Sequence, residues 1–315
     1  MPYMYDLKLD FHNDWENFLK MKLEDSGYEV KEEKQEISYK YFNLCQRLIE
    51  ATPRKVLISK EFTVPKEYEE IIQLIIKKVE KGEDINSYLS TRILDIDYND
   101  GLLNDWGIYH LHLGDALKRL KERKSGKKGT FIKRTGPLLF ARFDRNNAYF
   151  INIMQHNDWS KRGIVKIIHD NWPESIERYL LNGITAVMPG FDDKAHGELR
   201  NSGVNLLVQV EEGIVYAPLG GGISSDGGST AARITSDQYT RKVRNIEDIV
   251  KEHYIKYARV WEKRGINLNG KLHFHLQFVD YIDVGVTEKV RIHLPKFSVY
   301  AVEINSGQAV SFGDL

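Results

Sequence analysis

Leu138 to Trp159 reads LLFARFDRNNAYFINIMQHNDW. Leu138 to Phe143 and Ala148 to Met154 carry the branched and aromatic residues of strands, and Asp144-Arg145-Asn146-Asn147 between them accepts turn geometry. The two runs predict a β-hairpin. Upstream, Trp106 to Leu113 predicts a third strand, with Ile108, His110 and His112 on one side and Tyr109, Leu111 and Leu113 on the other. Downstream, helices are expected over 161–170 and, after Pro173, over 174–181.

The flanking regions add helices and a second set of strands. A helix is expected to run through Glu50, followed by a strand near 54–62 and a helix from Pro65 whose stripe is Tyr68, Ile71, Ile72, Ile75, Ile76 and Val79. Asp95 to Asp105 is rich in Asp and Asn and reads as a loop, so a boundary is placed there. Beyond Gly183 the pattern predicts a strand at 184–188, a helix at 192–201 and strands at 204–210 and 214–217. Thr235 and Gln238 form a capping-box pattern ahead of a long amphipathic helix over 236–264. The last 45 residues alternate as antiparallel strands, beginning with Leu272, Phe274, Leu276 and Phe278 against His273, His275 and Gln277. The expected class is α+β: a central antiparallel sheet, flanking helices and a C-terminal mixed α/β region. The expected division is a helical region over 1–105, a core over 106–182 and a C-terminal region over 183–315.

Charged residues balance at 45 cations and 45 acids, so any nucleic-acid partner must be drawn by a local patch and not by net charge. The single cysteine, Cys45, excludes an intramolecular disulfide and a cysteine zinc site, and its apolar neighbours point to an inert buried thiol. The acidic N-terminus is not a signal peptide, and no apolar run approaches membrane-span length. A cytoplasmic protein with no membrane partner is expected.

Chemistry is expected where proton-transferring side chains gather. Histidine titrates near neutrality, and His110 and His112 on one strand face stand about 7 Å apart, close enough to share a substrate. Arg142 ends the first hairpin strand and His156 follows the second, so the two meet only if the strand register brings them to one end of the sheet. Asp158 either orients His156 or, with Asn157, caps the following helix. Between Lys118 and Arg134 lie nine cations and one acid, Glu122. Lys118, Arg119, Lys124, Lys127, Lys128, Lys133 and Arg134 form the one strong positive block, suited to a phosphate backbone.

These pieces resemble the RelE-like toxins, small ribonucleases of bacterial toxin–antitoxin systems, and in particular their YafQ-type branch. YHLHL at Tyr109 to Leu113, LLFARFD at Leu138 to Asp144 and MQHNDW at Met154 to Trp159 are similar to that family's strand, hairpin and histidine corner. The resemblance covers about residues 106–160. It implies a metal-independent endoribonuclease in a toxin or phage-defence setting. His110 or His112 and His156 would be acid and base, and Arg142 would stabilise the phosphate. It further implies RNA or the ribosome as target, an antitoxin or other protein partner, and no cofactor.

Two other classes stay open. A metal-dependent hydrolase would use His110 with His112, or His273 with His275, and Asp115 or Asp280 as a third ligand. A binding or assembly protein would carry the same histidines as structural residues. The Gly220-Gly221-Gly222 and Gly227-Gly228-Ser229-Thr230 runs suggest a lid, or a backbone cradle for phosphate without the P-loop lysine. His12, His196, His253 and His293 receive no role.

Overall fold

The computed structural model describes residues 5–30, 37–114, 117–119, 130–156, 158, 160–280 and 297–315, with the backbone alone for 117–119, Thr130 and Asp280. In chain order the elements are β1 (Asp6–Lys8), α1 (Phe11–Asp25), α2 (Ile37–Arg47), β2 (Lys55–Ile58), α3 (Glu69–Lys81), α4 (Gly101–Trp106), β3 (Tyr109–His112), β4 (Leu117–Arg119), β5 (Thr130–Ile132), β6 (Pro137–Phe143) and β7 (Asn147–Gln155). They continue with α5 (Gly163–Asn171), α6 (Asp193–Asn201), β8 (Val208–Glu211), β9 (Ile214–Tyr216), α7 (Thr230–Lys263), β10 (Lys271–Asp280), β11 (Phe297–Glu303) and β12 (Ala309–Asp314). The class is α+β.

The chain divides into two compact units, Met1–Cys45 with Arg233–Leu315, and Gln46–Ala232. The expected boundaries at 105 and 182 both fall inside the second. The reason is the central sheet, which draws β2 from the N-terminal region into register with the hairpin.

In the first unit the sheet order is β1-β10-β11-β12, antiparallel except for β1, which runs parallel to β10. Trp15 of α1 is fully buried and stacks on Tyr239 of α7 at 5.9 Å between ring centroids. Asp14 ties α1 to the sheet, with Oδ1 2.7 Å from His275 Nδ1 and Oδ2 accepting from the Leu276 N–H.

In the second unit the order is β2-β7-β6-β3. The hairpin β6–β7 and the β3–β6 pair are antiparallel as expected, whereas β2 joins β7 in parallel and makes the sheet mixed. Asp144 closes the hairpin turn by accepting from the N–H groups of Asn146 and Asn147. One face packs Leu111, Leu139, Ala141 and Phe150 against Ile72, Ile75 and Val79 of α3. The other packs Ile108, Leu138, Phe140 and Ile151 against Ile164, Val165 and Ile168 of α5, with Trp106. A register shift between Phe140 and Ala141 leaves Ile151 unpaired and keeps both faces apolar across the irregularity.

Several local expectations are corrected. Asp95 to Asp105 is not all loop: Asp100 caps α4 by accepting from the Leu103 N–H, and Gly107 ends it in the left-handed region at φ 68°. The acids there are capping residues, which composition alone reads as a linker. Residues 174–181 form two 3₁₀ turns, Pro173–Ser175 and Glu177–Tyr179, interrupted at Ile176 (φ −124°). Residues 184–188 carry no strand; Met188 is 88% exposed and has no sheet to join. The long helix starts at Thr230, not near 236, because Ser229 caps it by accepting from the Ala232 N–H. Among the described residues no helix is long and apolar enough to cross a membrane.

Candidate active site

β3 is the edge strand of its sheet, and alternation sends Tyr109 and Leu111 to the α3 face while His110 and His112 go to the other. Both are buried, 8% and 2% exposed, although an edge strand leads one to expect half-exposed imidazoles. β7 ends at Gln155, paired with Pro137 beside the strand position that pairs with His112, so the next residue, His156, arrives at the same end. The His112 and His156 rings lie 6.0 Å apart at 45°. His156 is the half-exposed member of the cluster. The turn that delivers it is held by Asp158, whose carboxylate accepts from the Gln155 N–H and pairs with Lys161 at 2.7 Å. Asp158 therefore positions the backbone around His156.

Burial dominates the electrostatics. It pushes His112 down to about 4, with His110, Arg134 and His156 adding to the effect, so His112 is neutral at pH 7. Burial also lowers His110, opposed by Asp100, whose Oδ2 lies 3.8 Å from His110 Nδ1. Nδ1 of His112 is buried with no hydrogen-bond partner among the described residues, an exception in folded chains. A stability effect follows. Because His112 binds a proton less readily folded than unfolded, stability is unaffected above about pH 6.5 and falls as pH drops towards 4, by on the order of 3 kcal/mol in all. Urea unfolding at pH 7 and pH 4.5 is expected to show that loss in the wild type and a visibly smaller one in His112→Asn. Equal losses would assign the acid sensitivity to other groups.

The structure separates Arg142 from this cluster. In an antiparallel hairpin the end of β6 lies beside the start of β7: Arg142 pairs with Tyr149, five residues along β6 from Pro137, or about 17 Å. Its guanidinium is buried, donates to the Ser175 carbonyl at 2.9 Å and lies over the Tyr179 ring at 5.8 Å. Arg142 is thus a structural strap, and convergence with His156 is ruled out by register. Arg134 is the arginine that bears on the histidines. It is exposed, bonds the Ser90 hydroxyl at 3.5 Å and bears electrostatically on both His110 and His112.

Of the remaining basic block, Lys133 is exposed, Lys118 and Arg119 are placed by the backbone of β4 alone, and Lys124, Lys127 and Lys128 lie outside the described residues. Among the described residues no group of three or more His, Cys, Asp or Glu side chains is placed to hold a metal. Asp115 and the Asp280 side chain, proposed as third ligands, also lie outside them. His273 and His275 stand 4.7 Å apart, and the latter is engaged by Asp14.

Sequence reading missed a buried network beside the site. Asp105 of α4 accepts from Arg200 Nε at 2.7 Å and meets His196 Nε2 at 2.9 Å, all three side chains being 5% exposed or less. The Arg200 guanidinium lies 4.2 Å from the Trp106 ring centre. The glycine-rich loop closes over the same helix: the Gly220 and Gly222 N–H groups donate to the carbonyls of Asp105 and Asn104. A Cβ on Gly220 would sit 2.0 Å from the Leu103 oxygen, so only glycine fits. Asp226 accepts from the Gly228 N–H and the Ser224 hydroxyl, so the loop satisfies its own groups instead of cradling a phosphate. An H-x₃-R spacing on a helix, His196 and Arg200, was the one signal available for this network.

Compared with protein families, with curated proteins and with solved structures, the chain matches none of them.

Proposed function

We propose that the second unit is a metal-independent endoribonuclease in which His112 and His156 act as base and acid. The observation that carries this reading is the 6.0 Å approach of the two rings at one end of the sheet, with Arg134 beside them. In the reaction, neutral His112 takes the ribose 2′-OH proton and the 2′ oxygen attacks phosphorus. The bond to the 5′ oxygen breaks, His156 delivers the proton to it, and the products are a 2′,3′-cyclic phosphate and a free 5′-OH. Arg134 offsets the charge that grows on the phosphate, the role expected from sequence of Arg142. Lys133 and the other cations of the basic block supply sequence-independent attraction to the RNA backbone.

We infer kinship with the RelE-type toxins from the succession of β3, the β6–β7 hairpin and the histidine corner at one end of the sheet. That kinship carries the cytoplasmic setting, a toxin or antiviral role, RNA or the ribosome as target and an antitoxin-like partner as parts of the same proposal. The test is degradation of RNA by the purified chain in excess EDTA, with and without ribosomes. Cleavage that survives chelation and leaves cyclic-phosphate ends is expected. Cleavage abolished by EDTA and restored by a divalent cation would replace this reading with the metal-dependent hydrolase.

A further inference from the structure

Composition places Asp100 in a loop, yet it sits at the junction between α4 and the histidine cluster. Its two carboxylate oxygens do different things: Oδ1 accepts from the Leu103 N–H at 3.1 Å and caps α4, while Oδ2 faces His110 Nδ1 at 3.8 Å. The second distance is too long for a hydrogen bond but puts a carboxylate directly beside the imidazole, between side chains only 16% and 10% exposed, where it favours the ring's protonated form against burial. The helix that carries this carboxylate is fixed at its other end. Asp105 is locked by Arg200 and His196, and the glycine loop donates to the carbonyls of Asn104 and Asp105.

Among the groups bearing on His110 are Asp100, His156 and Arg134, and Arg47, Tyr98, Ser90 and Tyr109 line a small cavity with Asp100 and His110. Asp100 is the acid among them. The cavity measures about 10 Å³, about the room of one water, and both Asp100 and His110 line it.

We infer that Asp100 is the positioning residue of His110, its carboxylate orienting the buried imidazole from the α4 side and setting how readily that ring takes a proton. The inference rests on the acid–base reading of that cluster. It makes α4 a bracket whose N-cap residue tunes the site and whose last turn is bolted to α6.

Asp100→Asn separates the two jobs of the side chain, because asparagine caps helices as well as aspartate does and carries no charge. In the full chain, with histidine imidazoles followed by NMR through a pH titration, the His110 midpoint is expected to fall in Asp100→Asn relative to the wild type. The thermal midpoint should stay within about 2 °C, because the cap is kept. RNA cleavage at pH 7 should drop about 10-fold in kcat with KM little changed, and Asp100→Glu should restore part of it. An unmoved His110 midpoint in a folded Asp100→Asn protein would overturn the inference. A moved midpoint in a chain whose wild type cuts no RNA would retain the Asp100–His110 coupling and refute the ribonuclease reading instead.

Discussion

Replacing His156 by Ala is expected to lower RNA cleavage by about 10²- to 10⁴-fold, the contribution of one positioned acid or base. His156 is half-exposed and lies in the turn after its strand, so the variant should keep the wild-type circular dichroism spectrum and melting temperature. His112→Asn should lose a comparable factor. If the two imidazoles act on one phosphate, the double variant should be scarcely worse than the poorer single one, because removing either partner already disables the pair. Arg142→Gln is the contrast. Its guanidinium holds the Ser175 carbonyl about 17 Å along the strand from the site, so it should leave kcat within a few-fold of wild type. Single-turnover cleavage of a labelled oligoribonucleotide measures all four variants. Full activity in folded His156→Ala would remove His156 from the chemistry and with it the shared site.

The hairpin was legible because strand periodicity and turn residues are local signals, and Leu138 to Met154 carries both without interruption. The histidine corner was half legible: His110, His112 and His156 were identifiable by type, but their burial depends on what packs over the edge strand. Arg142 was misplaced because proximity in sequence to the hairpin says nothing about which end of it a residue occupies. Register supplies that, and antiparallel pairing puts the end of one strand opposite the start of the next. Asp100 and Asp105 were hidden for another reason. Aspartate among asparagines reads as loop, and whether it caps a helix or pairs with an arginine some 95 residues away is settled only by the fold. The parallel addition of β2 was likewise beyond local pattern, since a short apolar strand does not specify its partner.

Replacing Asp105 by Ala is expected to destabilise the second unit by about 3–5 kcal/mol, or roughly 10 °C in melting temperature. The side chain itself contributes little apolar packing. The cost arises because Arg200, buried beneath the Trp106 ring, loses the carboxylate that accepts from its Nε, and His196 loses the carboxylate that meets its Nε2. Desolvation is the governing term: a buried guanidinium that loses this acid is driven to recruit water or swing out, and either movement loosens α6 from α4. The sign can be tested from the other direction. Asp105→Leu combined with Arg200→Leu removes both charges together, and is expected to recover most of the loss, as apolar replacements of buried ion pairs commonly do. Thermal and urea unfolding of the single and double variants decide between the alternatives. A single-variant loss below about 1 kcal/mol would mean that water already reaches Arg200 and that the network is not a bolt. A large loss that the double variant recovers would show that α4 is held by charge compensation, and would tie its last turn energetically to the helix start where Asp100 faces His110.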